Sequence, residues 1–220
     1  MPRPKPTYIA HFTHIDNLAA ITRHGLFSDT RTRAESVPFS EAGEPAIKSR
    51  RREQRVKADP GGVVADYVPF YYAPRSPMMY RLHRGGVPTF TGNTHDLVYL
   101  VTSIEHLIYH GHRLVFTDRN AAAKFAVHSN RVTDLDDLVD WDLMTADDWS
   151  NTDDDPDRKS RRMAECLAYE GVIWDAITQV TAFDEQRASR VEAILSSALN
   201  TPTTLGAEAP AVRVNPRAYF

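Results

Sequence analysis

Short apolar runs alternate with amphipathic stretches along this chain, and the two patterns predict strands and helices. The predicted strands are residues 8–13, 97–101 and 114–117, the run that Glu165 opens, and residues 179–183. Ile15, Leu18 and Ile21 recur at helical spacing, and Gly25 is placed to end that helix. Because strands and helices alternate irregularly, we expect an α+β fold rather than a doubly wound sheet.

The polar segments between these runs predict loops and further helices. Residues 28–46 are rich in turn-forming residues and predict an ordered loop. Asp118 is expected to start an alanine-rich helix whose exposed end supplies backbone N–H donors. A helix predicted over residues 187–199 has an apolar face formed by Val191, Ile194, Leu195 and Ala198. Residues 212–214, with Tyr219 and Phe220, are expected to close the chain as an edge strand.

Residues 61–84 are rich in aromatic side chains with arginines between them. The aromatic residues are Tyr67, Phe70, Tyr71, Tyr72 and Tyr80, and the arginines are Arg75, Arg81 and Arg84. Rings that stack on bases, next to cations that bind phosphates, are typical of a platform for single-stranded nucleic acid. Rings at alternate positions also fill cores, and we expect both uses here. Pro69, Pro74 and Pro77 argue against one regular central strand and predict a shaped loop.

The net charge of −3 hides an uneven distribution. Residues 134–157 contain eleven Asp and no Lys, Arg or Glu, so removing these eleven charges leaves +8 for the other residues. The acidic segment therefore offsets a cationic surface that is suited to a polyanion. The alternative is that both segments are merely solvated.

A basic segment, residues 48–57, carries six cations and one acid. Pro45 is placed to begin a helix that runs through this segment to Arg55. At about 3.6 residues per turn, Arg50, Arg51 and Arg52 point about 100° apart. At most one or two of them are therefore expected to contact the same ligand.

Length and composition favour a single domain over residues 1–220, with a core of its own. The one cysteine, Cys166, excludes an intrachain disulfide, and its apolar neighbours predict a buried residue rather than a nucleophile. No leader-like or membrane-spanning apolar run is present. We expect a cytoplasmic protein without a membrane segment.

Glu165 is the first candidate for chemistry. It follows four cations in the segment RKSRR, residues 158–162, and precedes an apolar run. Such a carboxylate is either a surface residue paired with arginine or a partly desolvated functional group. On this stretch alone, the surface interpretation is favoured.

Metal binding is not predicted. His11 and His14 lack further ligands at metal-site spacing, and residues 153–155 lack the spacing of a calcium loop. His11, at the end of a predicted strand, is instead a candidate hydrogen-bonding group for a ligand.

Five motifs occur here in one order: residues 11–18 (HFTHIDNL), 66–71 (DYVPFY), 73–80 (APRSPMMY), 116–118 (FTD) and 164–165 (AE). Together they resemble the DNA ADP-ribosyltransferase toxins of DarT type, over residues 8–220. The resemblance implies an ADP-ribosyltransferase fold, in which a split β-sheet with flanking helices binds NAD in its cleft. It also implies transfer of ADP-ribose to a base, usually thymine, of single-stranded DNA. The family's usual partner is a macrodomain antitoxin that removes the modification.

The resemblance assigns roles to residues of this chain. Glu165 corresponds to the catalytic glutamate and Arg51 to the functional arginine. The predicted NAD-contacting residues are His11, Thr13, Asn17 and Tyr71, and the predicted nucleic-acid contacts are Arg75, Met78, Tyr80 and Arg161. Asn120 stands where some members have histidine, so it receives no role.

Three other functions stay open from the residues. The same scaffold could modify guanine or RNA, because aromatic rings stack on every base. It could also be an inactive binder of single strands, although pure binding requires neither Glu165 nor His11. The third alternative is a structural domain with a charged surface.

Overall fold

The computed structural model describes residues 1–199 and 209–220, and the strands and helices below are those of the described residues. The strands are β1 Tyr8–His14, β2 Leu26–Phe27, β3 Tyr67–Tyr71, β4 Leu97–Ser103, β5 Leu114–Thr117, β6 His128–Ser129, β7 Glu165–Tyr169, β8 Gly171–Val172, β9 Gln179–Ala182 and β10 Ala211–Val214. The α-helices are α1 Leu18–His24, α2 Asp29–Ala34, α3 Pro45–Glu53, α4 Pro77–His83, α5 Ile104–Tyr109, α6 Leu135–Leu138, α7 Trp141–Thr145, α8 Arg158–Arg161 and α9 Glu185–Leu199.

Eight of the strands form one sheet in the order β10-β9-β4-β1-β3-β7-β5-β6, and β2 pairs with β8 separately. Neighbouring strands are antiparallel except β10, which joins β9 in parallel at the edge. The predicted α+β class and the edge strand at residues 212–214 are confirmed. Tyr219 is instead buried beyond the strand, where its hydroxyl donates to the carbonyl oxygens of Leu97 and Thr181.

The sheet is split between β1 and β3. These strands share the single pair Ala10–Tyr71, whereas β1 pairs with β4 at seven positions and β3 with β7 at five. The carbonyl of Pro69 points toward β1 and accepts a hydrogen bond from the His11 ring. Because the N and C=O of a strand residue point to the same edge, Pro69 loses no ladder hydrogen bond where the strands diverge. The expectation that proline would exclude a central strand was wrong for Pro69 for this reason, whereas Pro74 and Pro77 lie beyond the end of β3.

The largest core lies on the face of the sheet that α1 and α9 cover. Leu18 and Ile21 of α1 pack in the same cluster as Val191 and Leu195 of α9. Burying each such side chain contributes about 1.5–3 kcal/mol. The predicted apolar face of α9 is confirmed, since Ala198 is also buried and Ile194 is partly buried. Gly25 ends α1 as predicted, with φ +85, and an added Cβ would lie 2.7 Å from the Val172 carbonyl oxygen.

Three predicted segments differ in the structure. Residues 28–46 contain the helix α2, because the Ser28 hydroxyl accepts from the Arg31 N–H and caps it. The basic helix α3 ends at Glu53 rather than Arg55. Residues 118–127 form turns instead of an alanine-rich helix.

The aromatic segment contributes more to the core than expected. Tyr67 and Phe70 are buried in β3, and the shaped loop after it leads into α4, which Ser76 caps and Pro77 begins. The acidic segment, residues 134–157, is anchored by its apolar residues, since Trp141, Leu143 and Met144 are buried. Cys166 is buried as predicted. Within the described residues, no helix is long and apolar enough to cross a membrane.

Candidate active site

A cleft opens where β1 and β3 separate, and α3 with the loop of residues 36–44 lies over it. Seven of the ten predicted site residues line this one cleft. They are His11, Thr13, Asn17, Arg51, Tyr71, Met78 and Glu165. The other three, Arg75, Tyr80 and Arg161, are not among its lining residues.

Glu165 lies at the start of β7, and its side chain is fully buried. Arg51 Nη1 donates to both carboxylate oxygens, at 3.0 and 3.2 Å, and the Ala121 N–H donates to Oε2 at 2.8 Å. The Glu165 N–H donates in turn to the Thr117 hydroxyl at 3.1 Å. The surface interpretation of Glu165 is therefore wrong. The carboxylate is buried, paired with Arg51 and fixed in position. A charge fixed in a water-excluded site interacts strongly with charge that develops on a bound substrate.

The three arginines of α3 point apart, as predicted. Arg51 reaches Glu165, Arg52 donates to Asp29 at 2.7 Å, and Arg50 is exposed. Arg51 Nη2 is buried beside the carboxylate and has no hydrogen-bond partner. It is a donor left over for an incoming group, since buried donors are normally paired.

His11 lies in the opening of the split sheet. Its Nδ1 is 2.8 Å from the Pro69 carbonyl oxygen. A carbonyl can only accept, so Nδ1 carries the proton and Nε2 is an acceptor. Burial, and to a smaller extent Arg51, lowers the pKa of His11 to about 4, although the Pro69 carbonyl opposes this change. The ring is therefore neutral near pH 7.

Asn17 connects the end of β1 to the loop over the cleft. Its Nδ2 donates to the Thr13 hydroxyl at 2.9 Å and to the Ser40 carbonyl at 3.0 Å, and its Oδ1 accepts from the Ser40 N–H at 2.6 Å. The amide thus fixes the loop of residues 36–44 over the cleft. Tyr71, on the opposite wall, has its pKa raised by burial and then by the charge of Glu165, so its hydroxyl stays neutral.

A family model described as "ssDNA thymidine ADP-ribosyltransferase, DarT" matches residues 10–220. The chain belongs to this family. A DNA ADP-ribosyl transferase of Mycobacterium tuberculosis is 36% identical over 197 residues, which cover 88% of this chain and 84% of the relative. One from Thermus sp. is 33% identical over 195 residues, 87% of this chain and 88% of the relative.

Solved structures agree with this membership of the DarT family. Thermus sp. 2.9 DarT in complex with ADP-ribosylated ssDNA superposes with a TM-score of 0.89 at 31% identity, covering 100% of both chains. The same Thermus protein in complex with NAD+ gives a TM-score of 0.82 at 30% identity, covering 99% of both. The predicted family, the split-sheet fold and the enzyme class, an NAD-dependent DNA ADP-ribosyltransferase, are confirmed.

Two of the predicted nucleic-acid contacts belong to an aromatic cluster that this DarT-family chain builds outside the cleft. The Tyr80 ring is 40% exposed, and its centroid lies 6.0 Å from that of Trp149 and 5.0 Å from that of Phe220. The Arg75 guanidinium lies 4.6 Å from the Phe220 ring centroid. Sequence reasoning missed Trp149 and Phe220 because they join the cluster from distant segments.

Arg161, the third outlying residue, is occupied by the acidic segment. It donates to Asp140 at 3.1 Å and to Asp155 at 2.7 Å. The hydrogen bond to Asp155 is the main cause of the raised pKa of Arg161, and desolvation opposes it. A DNA contact by Arg161 stays a prediction.

Its neighbour Arg162 was not predicted and is buried three residues before Glu165. Its guanidinium donates to the carbonyl oxygens of Leu143, Ala146 and Pro74. Burial among these groups lowers the pKa of Arg162 to about 10. One side chain thus joins the acidic segment and the segment after β3 to the strand of Glu165. The sequence shows only a run of cations, without a signal of which one is buried.

Among the described residues, no group of three or more His, Cys, Asp or Glu side chains converges as metal ligands would. The Glu165 carboxylate accepts its hydrogen bonds from Arg51 and the Ala121 N–H.

Proposed function

We propose that this DNA ADP-ribosyltransferase transfers ADP-ribose from NAD to a thymine base of single-stranded DNA and releases nicotinamide. The observation that carries the proposal is the buried Glu165 carboxylate, held by Arg51 and the Ala121 N–H inside the split-sheet cleft. The family description, which names thymidine, supports the choice of base.

In this proposal NAD binds along the cleft, and the structure of the Thermus relative in complex with NAD+ supports NAD as the ligand. The neutral His11 ring offers Nε2 as an acceptor for a hydroxyl or amide proton of the dinucleotide. Tyr71 offers a neutral hydroxyl on the facing wall, and Asn17 acts by holding the loop of residues 36–44 against Thr13.

The reaction requires a group that stabilises positive charge. The bond from ribose C1′ to the nicotinamide nitrogen breaks, the electron pair leaves with nicotinamide, and C1′ becomes oxocarbenium-like. Glu165 accepts a hydrogen bond from a ribose hydroxyl and stabilises this charge, most strongly where water is excluded. Thymine N3 then forms the bond to C1′ and loses its proton to Glu165 or to water.

Arg51 acts as an electrostatic stabiliser rather than as a base. A guanidinium is not deprotonated in proteins, and this one is paired with a carboxylate at 3.0 Å. Its unpartnered Nη2 is available to the anion that develops on the base or to the phosphates of NAD. Arg51 also holds the Glu165 carboxylate in place before the substrates bind.

The acceptor must be unpaired, because Watson–Crick pairing occupies thymine N3–H and stacking hides it. Arg75, Met78 and Tyr80 are the proposed strand contacts, with Arg161 if its carboxylate partners release it. Arg75, Met78 and Tyr80 come from the segment that follows β3, and Arg161 from the segment that precedes β7.

The biological role we infer is that of a toxin in the cytoplasm, countered by a macrodomain antitoxin that removes the ADP-ribose. Support comes from a relative in Thermosipho africanus named a DNA ADP-ribosyl transferase-DNA ADP-ribosyl glycohydrolase fusion protein. It is 24% identical over 194 residues, and the matched region is 47% of that protein. A modifying and a removing activity are thus joined in one relative.

Mass spectrometry of oligonucleotides incubated with enzyme and NAD tests the base and the form of the substrate. Single-stranded oligonucleotides containing thymine should gain one ADP-ribose on that base, and matched duplexes should gain almost none. DNA binding should weaken as salt rises, because phosphate contacts release counterions. Labelling of guanine or of RNA would replace the thymine proposal, and absence of all labelling would favour the inactive binder.

A further inference from the structure

An exposed aromatic ring, that of Phe125, lies on the loop that holds Glu165. Residues 118–127 connect β5 to β6, and the Ala121 N–H of this loop donates to Glu165 Oε2 at 2.8 Å. Phe125 follows four residues later, and 76% of it is exposed. Neighbouring Val127 is 53% exposed. A large apolar ring left in water on the loop that contacts the carboxylate points to a binding surface.

The loop that carries Phe125 is fixed at both ends. Asp118 Oδ1 accepts from the Val127 N–H at 2.9 Å and closes the loop. Arg119 connects the loop to the acidic segment, because its guanidinium donates to Asp118 and to Asp157, each at 2.8 Å. The alanines Ala121, Ala122 and Ala126 are buried beneath it. The ring is therefore presented on ordered backbone, which reduces the entropy lost on binding.

A free cation accompanies the ring. The Lys124 ammonium lies 5.4 Å from the Phe125 ring centroid, and Lys124 is exposed. No carboxylate of the described residues lies within ion-pair distance of Lys124. The cleft lining includes Asn120 of the same loop but neither Lys124 nor Phe125. The pair thus lies outside the cleft, on the loop whose Ala121 N–H contacts Glu165, which an acceptor strand has to reach in the proposed reaction.

We propose that Phe125 and Lys124 form a subsite for a nucleotide that flanks the modified base in single-stranded DNA. The base stacks on the Phe125 ring, and the adjoining phosphate pairs with Lys124. A protein partner is less well matched, because an isolated ring and cation on a tight loop suit one nucleotide rather than an extended interface. The subsite rests on the proposed function, since it requires that a DNA strand reach Glu165.

Fluorescence anisotropy with a labelled single-stranded oligonucleotide and this 220-residue chain, without NAD, tests the subsite. Phe125→Ala should raise the dissociation constant about tenfold, equivalent to about 1.4 kcal/mol and within the range for one stacked base. Phe125→Trp should restore tight binding. The matched control is Tyr109→Ala, which removes a ring that is 82% exposed on α5. The control should bind DNA as the wild type does, and every variant should keep wild-type affinity for NAD.

A scan with abasic residues locates the stacked base. One abasic residue is placed at each position next to the reactive thymine in turn. At one of these positions the abasic residue should raise the dissociation constant of the wild type about tenfold. At the same position it should not raise the already weakened dissociation constant of Phe125→Ala any further. Unchanged DNA binding by Phe125→Ala would overturn the subsite. So would a loss of NAD affinity or of melting temperature, because the ring would then support the loop.

The two proposals fail in different ways. If the wild type modifies thymine and Phe125→Ala reacts identically, only the subsite is wrong. Suppose instead that the wild type modifies another base, and that the abasic scan still finds one flanking position whose effect depends on Phe125. The thymine proposal is then wrong and the subsite stands.

Discussion

Arg51 and Glu165, 114 positions apart in the chain, share two hydrogen bonds of 3.0 and 3.2 Å inside the cleft. The pair joins α3 to the first residue of β7 and is nearly closed to solvent. Loss of either partner would leave the other buried without its counter-charge, so the same contact matters both to the fold and to the site. Two sets of variants separate these contributions.

Glu165→Gln should reduce kcat by about 10²–10³, because the amide cannot stabilise the oxocarbenium-like charge. The dissociation constant of NAD should change by a few-fold at most, since the charge acts mainly in the transition state. The free energy of unfolding should fall by about 1–3 kcal/mol, because Arg51 loses its ionic partner. Single-turnover kinetics, calorimetric NAD titration and urea unfolding measure the three quantities.

The control for Glu165 is Glu170→Gln, an exposed carboxylate just beyond the other end of the same strand. It should change none of these quantities appreciably. Near-wild-type kcat of Glu165→Gln at saturating NAD would remove this residue from the mechanism.

Arg51→Lys should retain only a minor part of the rate. Lysine keeps the charge but loses the planar fork that holds Glu165 and leaves Nη2 for a second group. Arg52→Lys is the matched change, because Arg52 pairs with Asp29 near the surface, where an ion pair contributes about 0–1 kcal/mol. Full activity of Arg51→Lys would show that charge alone suffices. Equal losses in both variants would mean that the basic helix acts as a general polyanion patch.

Local patterns predicted the ordinary parts of this fold well. Strands, the stop at Gly25 and the buried face of α9 each depend on neighbours in the sequence, and each is where the pattern places it. The prediction for Pro69 was wrong because proline destabilises a strand only where its nitrogen faces a paired neighbour. The Pro69 nitrogen faces the edge where β1 and β3 separate, and only the tertiary arrangement decides that. The alanine-rich segment after Asp118 fails as a helix because Asp118 closes a loop and the Ala121 N–H is used by Glu165.

The site itself was less accessible to pattern reasoning. The strand pattern indicated only that His11 could contact a ligand, and Arg51 received its role from the family's motifs, since no spacing rule brings residues 11, 51 and 165 together. Arg162 could not be distinguished from Arg161 by sequence, although one is buried against three carbonyls and the other lies among carboxylates.

Asn17→Ala should raise the KM for NAD about tenfold or more and change kcat less. The variant removes three hydrogen bonds: two bind the Asn17 amide to Ser40 of the loop of residues 36–44, and one binds the amide to Thr13 of β1. A looser loop weakens ground-state binding more than the chemical step. Asn93→Ala, which uncaps a short 3-10 helix before β4, is the control and should leave the KM unchanged. A fall in kcat with an unchanged KM would contradict a loop-holding role for Asn17.

Arg162→Lys should lower the free energy of unfolding by about 2–4 kcal/mol, because an ammonium cannot reach three carbonyls that one guanidinium satisfies. The acidic segment should no longer be held at a fixed position next to β7. We therefore expect kcat to fall and the dissociation constant of NAD to stay unchanged. Arg158→Lys is the matched control, since Arg158 also donates to carbonyls, those of Asp148 and Ser150, but near the surface. Urea unfolding and limited proteolysis between residues 146 and 157 measure the effect. Equal stability of the two variants would contradict the positioning role of Arg162.

The last prediction concerns the pH dependence that His11 imposes on stability. Its folded pKa of about 4 lies below the ordinary value of 6.5, so the unfolded chain takes up a proton first as pH falls. Stability is complete above about pH 6.5 and declines toward pH 4 by up to 1.4 kcal/mol per pH unit. His11→Asn places an amide N–H near the position of Nδ1, keeps a donor for Pro69 and cannot titrate. The stability of the wild type relative to His11→Asn should therefore fall by about 2–3 kcal/mol between pH 7 and pH 4.5 in urea unfolding. Parallel curves for the two proteins, or an NMR titration of the His11 ring near pH 6.5, would show that the ring is not held neutral by burial.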